Sequence, residues 1–373
     1  RRIWNLRYID EWPHNCFYKE LNQIIMERNK IYGSTSNPYD LTRTSGGSSG
    51  GPAVLVSIAG APIGLCNDAL GSIRLPAFYN SLFGHKSTGG CIKGWYDQID
   101  NNSMLDHYSQ GGIVCRYSSE LWPITKILLE DNIITQQVLK LNYDNLKLKD
   151  VTFIYIGDSF KNKFNTKLSY DIYNSIKKLL EYLESIGCKV KFKTYNEIEY
   201  SSFLIISEIN KNTSLDDDDN YLIKNSVWKN FKELSITNFS LNLTKQLLNS
   251  DYIEKNNTSL IEKMLSILKK KMYNDFISNK NVVFISPTFP TVAPLHNTSL
   301  KYILDLPMTG IFNILKLPVT QIPLGLNLKG LPLGCQIIGN KCQDKLTIKI
   351  AELLEKEGIS KWISPKLIDL KKN

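Results

Sequence analysis

Residues 151–195 restrict the fold more than any other stretch of the chain. The apolar run VTFIYIG (151–157) is followed by YDIYNSIKKLLEYLESIG (170–187), amphipathic at helical spacing and closed by Gly187, and then by the alternating CKVKFKTY (188–195). Strand, helix and strand in that order make a β-α-β unit, which requires a sheet with helices packed over it. After residue 281, NVVFISP, LPVTQIPLGL and LPLGCQIIG read as three core strands and DKLTIKIAELLEKEG as a helix. Towards the start, GPAVLVSIAG reads as a short buried helix, APIGLCN as a buried strand and RLPAFYNSLFG as a helical turn. Ser118 and Ser119, just before ELWPITKILL, read as an N-cap. The expected fold is a single α/β domain over residues 1–373, with a mixed, twisted central β-sheet covered by helices on both faces. Residues 48–148 and 281–355 are expected to pack together as its core. Residues 1–18 are atypical, and 196–280, polar and helical, form a peripheral layer.

Composition removes several function classes. With 373 residues, 42% of them hydrophobic and 22% charged, the chain reads as soluble and globular with a sizeable core. Its longest apolar stretch, PAVLVSIAGAPIGLC, is interrupted by polar residues and glycines and falls short of the roughly 20 residues that span a bilayer. A membrane anchor is therefore expected only outside this chain. With an N-terminal anchor the protein would sit on a membrane facing the cytosol, and without one in the cytoplasm. The chain opens on Arg1 with no leader pattern, so it reads as a fragment or a processed product. The seven cysteines are scattered with no CxxC pair, which points to reduced thiols and to neither a zinc site nor a disulfide framework. The net charge of +9 comes from lysines spread over helices such as SIKKLLEYLESIG. That is a solvated surface, without the arginine-aromatic patch of a nucleic-acid interface. The run Asp216–Asp219 lacks the glycine turn and distal carboxylate of a cation loop, and reads as a solvated loop.

The segment TSGGSSGGPAVL (44–55) sets two serines between glycine pairs. A flexible spacer would continue into polar sequence, but this one runs directly into an apolar helix, so it is a turn packed on the core. It contains G-x-S-x-G, the nucleophile elbow of α/β-hydrolases, yet an elbow follows an apolar strand and NPYDLTRT is not one. Nor does the sequence pair His85 or His296 with Ser48. A second serine, Ser72, lies 24 residues further on, in the turn after the buried strand, within DALGSIR.

GGSSGG followed at this spacing by D-x-x-G-S-I-R is the core of the amidase signature family, which the chain resembles. The similarity runs through NKIYGSTSNPYDLTR, FGHKST, GGIVCRYSSEL, SPTFPTVAP and MTGIFNILKLPVTQIPLGLNLKGLPLGCQIIG. Within the family these segments are most similar to the fatty-acid amide hydrolases, type 2 in particular, while residues 150–280 match in layout alone. The resemblance implies a serine hydrolase that splits (fatty) acyl amides into carboxylic acid and amine through an acyl-enzyme on Ser72. Ser48, in a cis peptide, would relay the proton to a neutral lysine, a nucleophilic mechanism with a Ser-Lys couple in place of histidine. The backbone amides of Ala69, Leu70, Gly71 and Ser72 would form the oxyanion hole, with Ser49, Asp68 and Arg74 supporting it. No metal or organic cofactor is implied. The partner is the small-molecule acyl amide, with a homodimer permitted and no nucleic acid.

Two features depart from the family pattern. Its lysine lies further upstream of the first serine than the 47 residues present, and Lys19 and Lys30 occupy other positions. The expectation is an unfilled polar pocket beside Ser48 and weak or no amide hydrolysis by this chain, restored by adding the upstream family segment. A catalytically impaired amidase-like protein is the alternative, and a tRNA-dependent amidotransferase A-type subunit ranks behind both. In addition, Leu70 replaces a family glycine and Pro52 a glutamate. If position 70 needs a left-handed backbone, leucine there would cost on the order of 1–2 kcal/mol and crowd the acyl pocket.

Overall fold

The computed structural model describes residues 28–29, 33–92, 108–161, 165–200 and 258–366. The expectations for residues 1–18, for Lys19 and Lys30, for Asp216–Asp219 and for most of the 196–280 layer lie outside the described residues. Eight strands form one mixed sheet. In chain order they are β1 (Ile63–Asp68), β2 (Phe83–Lys86), β3 (Gln110–Cys115), β4 (Thr152–Tyr155), β5 (Lys189–Phe192), β6 (Val282–Pro287), β7 (Val319–Leu326) and β8 (Pro332–Ile338). Across the sheet they run β1-β3-β2-β7-β8-β6-β4-β5. The β6–β4 and β4–β5 pairs are parallel and all other pairs antiparallel. The helices are α1 (Gly50–Ser57), α2 (Arg74–Tyr79), α3 (Leu121–Leu128), α4 (Ile133–Lys140), α5 (Tyr170–Ser185), α6 (Thr258–Ile277), α7 (Pro307–Ile314) and α8 (Asp344–Lys356).

Alternation along β6 shows the two layers. Val283 and Ile285 enter one core with the apolar faces of α5 and α8, whereas Val282 and Phe284 enter the other with α6 and α7. The expected α/β architecture, a mixed sheet with helices on both faces, is what the chain adopts. The two outer segments meet side by side in one sheet, since β2 of the first pairs with β7 of the second.

The β-α-β unit forms as the periodicity dictates. In α5 the buried residues Ile172, Ile176, Leu179, Leu180 and Leu183 recur at helical spacing on one stripe, each contributing about 1.5–3 kcal/mol on burial. The helix ends in a Schellman cap, with Gly187 N–H donating to Glu184 O (3.0 Å) and Cys188 N–H to Leu183 O (2.9 Å). β5 is an edge strand with Lys189, Lys191 and Phe192 exposed, and charged edges of this kind discourage pairing with another chain.

Two strands escape the sequence reading. FGHK (β2) and QGGIVC (β3) are buried on both faces and show no alternation. Their glycines answer close approach rather than turning: a Cβ on Gly84 would stand 2.7 Å from Ala77 Cβ, because α2 lies directly on the sheet there. The expected Ser118–Ser119 cap is also corrected. Tyr117 occupies the capping position of the short 3₁₀ turn, and the N–H of Ser118 donates to Glu355 of α8 at 2.8 Å. A carboxylate from a distant helix does the work a local hydroxyl was expected to do.

Candidate active site

The Gly-Ser stretch is a fixed turn. It follows a short hairpin of Ser36–Asn37 and Asp40–Thr44 and enters α1 at Gly50. Gly46 has φ +83°, its N–H donates to Thr44 Oγ1 at 3.1 Å, and the Gly47–Ser48 peptide is cis. Two buried asparagines tie the turn to α2. Asn80 Nδ2 donates to Ser45 O at 2.8 Å, and Asn37 Nδ2 donates to Tyr79 O at 2.8 Å and Thr44 O at 3.2 Å. Ser49, buried, stands at the capping position of α1, and its carbonyl accepts from Ala53 N–H at 3.1 Å.

The loop from Asp68 to Arg74 carries Ser72 between β1 and α2. Asp68 and Arg74 are fully buried and form a bidentate pair, Nε to Oδ2 at 2.9 Å and Nη2 to Oδ1 at 2.8 Å. The same carboxylate accepts Gly71 N–H at 2.7 Å and Ile73 N–H at 3.1 Å. Burial alone would raise the Asp68 carboxyl, but Arg74 and these bonds hold it down at about 2, so it stays ionised and the loop stays braced. Gly71 has φ +128°, whereas Leu70 is not among the residues with positive φ. Leucine at position 70 therefore carries no left-handed strain. Its side chain packs against the α6–α7 core and also borders the cavity.

Of the amides expected to form the oxyanion hole, that of Gly71 is taken by Asp68. Among the described residues, those of Ala69, Leu70 and Ser72 meet no acceptor. These loop residues open on a cavity whose walls are mainly Leu75, Tyr79, Phe289, Tyr302 and Leu306, closed on the other side by the Gly46–Gly47 backbone. Ser72 lines this cavity, while Ser48 sits one residue beyond the lining. Among the described residues neither hydroxyl makes a hydrogen bond, so the two turns are brought together but the Ser72–Ser48 bond is not formed. The cavity itself is mostly apolar.

Beneath the loop lies a buried polar cluster that sequence reasoning did not single out. Arg74 Nη1 donates to Thr309 O at 2.9 Å and to Gln336 Oε1 at 3.2 Å. Asn313 Nδ2 lies near Asp68 O (2.6 Å), Asp68 Oδ1 (3.0 Å) and Gln110 Oε1 (3.2 Å). Gln110 Oε1 also accepts from Lys86 Nζ at 3.0 Å. Burial, and then the Arg74 charge, brings the Lys86 ammonium down to about 7. Its amino group donates to Ser87 O and Gln110 Oε1 and to neither Ser48 nor Ser72. The signal for this cluster was the presence of Lys, Gln and Asn inside otherwise apolar core segments.

The histidines fit no triad. His85 Nδ1 is 2.9 Å from Thr320 Oγ1 and its Nε2 is 3.3 Å from Asp344 Oδ1, at the start of α8 on the opposite face of the sheet. His296 Nε2 lies 3.1 Å from Leu41 O and 3.5 Å from Ser36 Oγ. Neither bonds Ser48 or Ser72, which removes the elbow reading. Among the described residues no group of His, Cys, Asp and Glu could hold a metal ion, and no helix is long and apolar enough to cross a membrane.

Comparison with known proteins identifies the family. The sequence matches the Amidase family over residues 18–348. It is similar to fatty-acid amide hydrolase 2 of Homo sapiens, 33% identical over 370 residues, covering 94% of this chain and 67% of that protein. Fatty-acid amide hydrolase 2-B of Danio rerio is 30% identical over 366 residues, covering 95% of this chain and 66% of the relative. The chain thus spans about two thirds of these relatives. The fold is shared with a subunit of the glutamyl-tRNA(Gln) amidotransferase from Thermotoga maritima, with 22% identity and a TM-score of 0.67, covering 86% of this chain and 68% of that one.

Proposed function

The chain belongs to the amidase family, and on that premise we propose that it hydrolyses acyl amides at Ser72, with long-chain fatty amides as the substrate class. The observation that carries the proposal is the Asp68–Arg74 loop. It sets Ser72 at the rim of an apolar cavity beside the amides of Ala69, Leu70 and Ser72, which have no acceptor among the described residues.

Ser72 Oγ attacks the amide carbon while its proton passes to Ser48 and from there to a lysine in the segment that precedes Ser48 in the family. The carbonyl oxygen takes up the electron pair and is held by the free amides of Ala69, Leu70 and Ser72, where one well-placed donor supports about 3–4 kcal/mol of the barrier. Collapse of the intermediate breaks the C–N bond, and the proton returns through Ser48 to the departing nitrogen. Water then repeats the sequence on the ester and releases the acid. The two hydroxyls close to hydrogen-bonding distance when substrate binds, since such contacts are commonly looser in an empty site. Leu75, Tyr79, Phe289, Tyr302 and Leu306 would receive the acyl chain and exclude water.

A fluorophosphonate probe tests the assignment. It should label the chain at Ser72, and labelling together with amide hydrolysis should vanish in Ser72→Ala. Labelling that survives this substitution overturns the nucleophile.

A further inference from the structure

We infer that α7 clamps the oxyanion loop and that Thr309 is the positioning residue that orients its amides; the inference rests on the reading of residues 69–72 as the oxyanion hole. Thr309 Oγ1 lies within hydrogen-bonding distance of Leu70 O and of Leu306 O, three residues earlier in the chain (3.0 Å). A hydroxyl has one proton to give. Leu306 O already accepts the N–H groups of Thr309 (3.1 Å) and Gly310 (2.9 Å). Among the described residues no backbone N–H reaches Leu70 O, so the Thr309 proton belongs there.

The other end of the same peptide is also held, since Gly71 N–H donates to Asp68 Oδ1 at 2.7 Å. A peptide unit is planar, with C=O and N–H pointing in opposite directions. Fixing both ends sets the rotation of the whole Leu70–Gly71 plane. The amides on either side, those of Leu70 and Ser72, then have little freedom left. Thr309 also fills the space under Gly71: a Cβ there would stand 2.4 Å from Thr309 Oγ1 and 2.9 Å from its Cβ. One turn further along α7, Asn313 holds Asp68 O and Oδ1, so residues 309 and 313 grip both ends of the Asp68–Gly71 segment. Leu70 adds an apolar contact to the core to which α7 contributes Met308, Ile311 and Phe312. The loop is thus braced by a helix more than 230 residues away in sequence.

Two measurements decide this, one of them independent of catalysis. In the unmodified chain the Gly71 amide should exchange with deuterium as slowly as the amides of β8. In Thr309→Val, which keeps the shape and removes the hydroxyl, exchange over residues 69–75 should rise at least tenfold while Thr309→Ser stays near the unmodified rate. In turnover, Thr309→Val should lower kcat about 10–100-fold with KM within twofold, below the 10²–10³-fold of deleting a direct donor, and Thr309→Ser should restore it. A Gly71 amide that exchanges like an exposed loop overturns the clamp, even if the valine variant does not fold. So does a valine variant that matches the unmodified chain in exchange and kcat. If the unmodified chain hydrolyses no amide, the proposed function fails while exchange still decides the clamp.

Discussion

The β4–α5–β5 unit and the Asp68–Arg74 loop are both anchored in the core, but they are held by opposite means. In the unit, the stripe from Ile172 to Leu183 packs on the sheet, α5 closes its own C-terminal turn, and β4 pairs with β5 on one side and β6 on the other. In the loop, Asp68 holds Arg74 and the Gly71 and Ile73 amides locally, but the remaining polar contacts come from far along the chain. Its polar groups are completed by Thr309, Asn313 and Gln336, the last of them 262 residues from Arg74. Apolar packing is tolerant of shape and needs only the right spacing. A buried charge pair needs every partner in place, because an unpaired ion in the interior is far more costly than a lost methyl group.

Removal of one charge should show the largest effect. Asp68→Ala leaves Arg74 buried without its counterion and should destabilise the chain by about 3–5 kcal/mol, with loss of amide hydrolysis; urea unfolding and turnover measure the two. A change well under 1 kcal/mol would mean that water reaches Arg74 and that the loop is no more demanding than the helix. Leu183→Ala in the unit should cost about 2–4 kcal/mol by the cavity it leaves, with turnover per folded molecule unchanged.

The contrast sharpens in a double-mutant cycle. Asp68→Asn combined with Asn313→Ala should depart from additivity by about 1–3 kcal/mol, whereas Asp68→Asn with Leu183→Ala should add within about 0.5 kcal/mol. Equal coupling in both cycles would dissolve the distinction.

The smallest effect is a pH slope. Lys86 loses its proton near 7 in the folded chain and near its ordinary 10.5 when unfolded. Between those values the unfolded chain binds more protons, so stability rises with pH. Below 7 both states carry the charge and this contribution is flat. Comparing unfolding at pH 7 and 8.5, the chain should gain stability relative to Lys86→Met. An unchanged difference would place the amino group in contact with solvent.

Legibility in the sequence follows the same division. The β-α-β unit, the strands after residue 281 and the last helix could be read because burial on one face leaves a period in the sequence. β2 and β3 could not, since they are covered on both faces and use glycine where α2 presses on the sheet. In the site, the paired serines, Asp68 and Arg74 stood out because the resemblance to the amidase signature family rests on GGSSGG and D-x-x-G-S-I-R, short motifs that carry them at fixed spacing. Lys86, Gln110, Thr309, Asn313 and Gln336 were visible only as polar letters in apolar segments. Which of them would meet depended on strand order.

By itself, then, the sequence determined the α/β class, the packed Gly-Ser turn and the loop that presents Ser72, all of which are written in local spacing and side-chain size. Only the tertiary structure decided that the Gly71 amide turns inward to Asp68, that Leu70 sits without backbone strain, and that Thr309 and Asn313 close over the loop. Those outcomes depend on α7 arriving across the sheet from more than 230 residues away. A hydrogen bond depends on distance and angle in space, and a linear pattern of residue types encodes neither until the strands between them have paired.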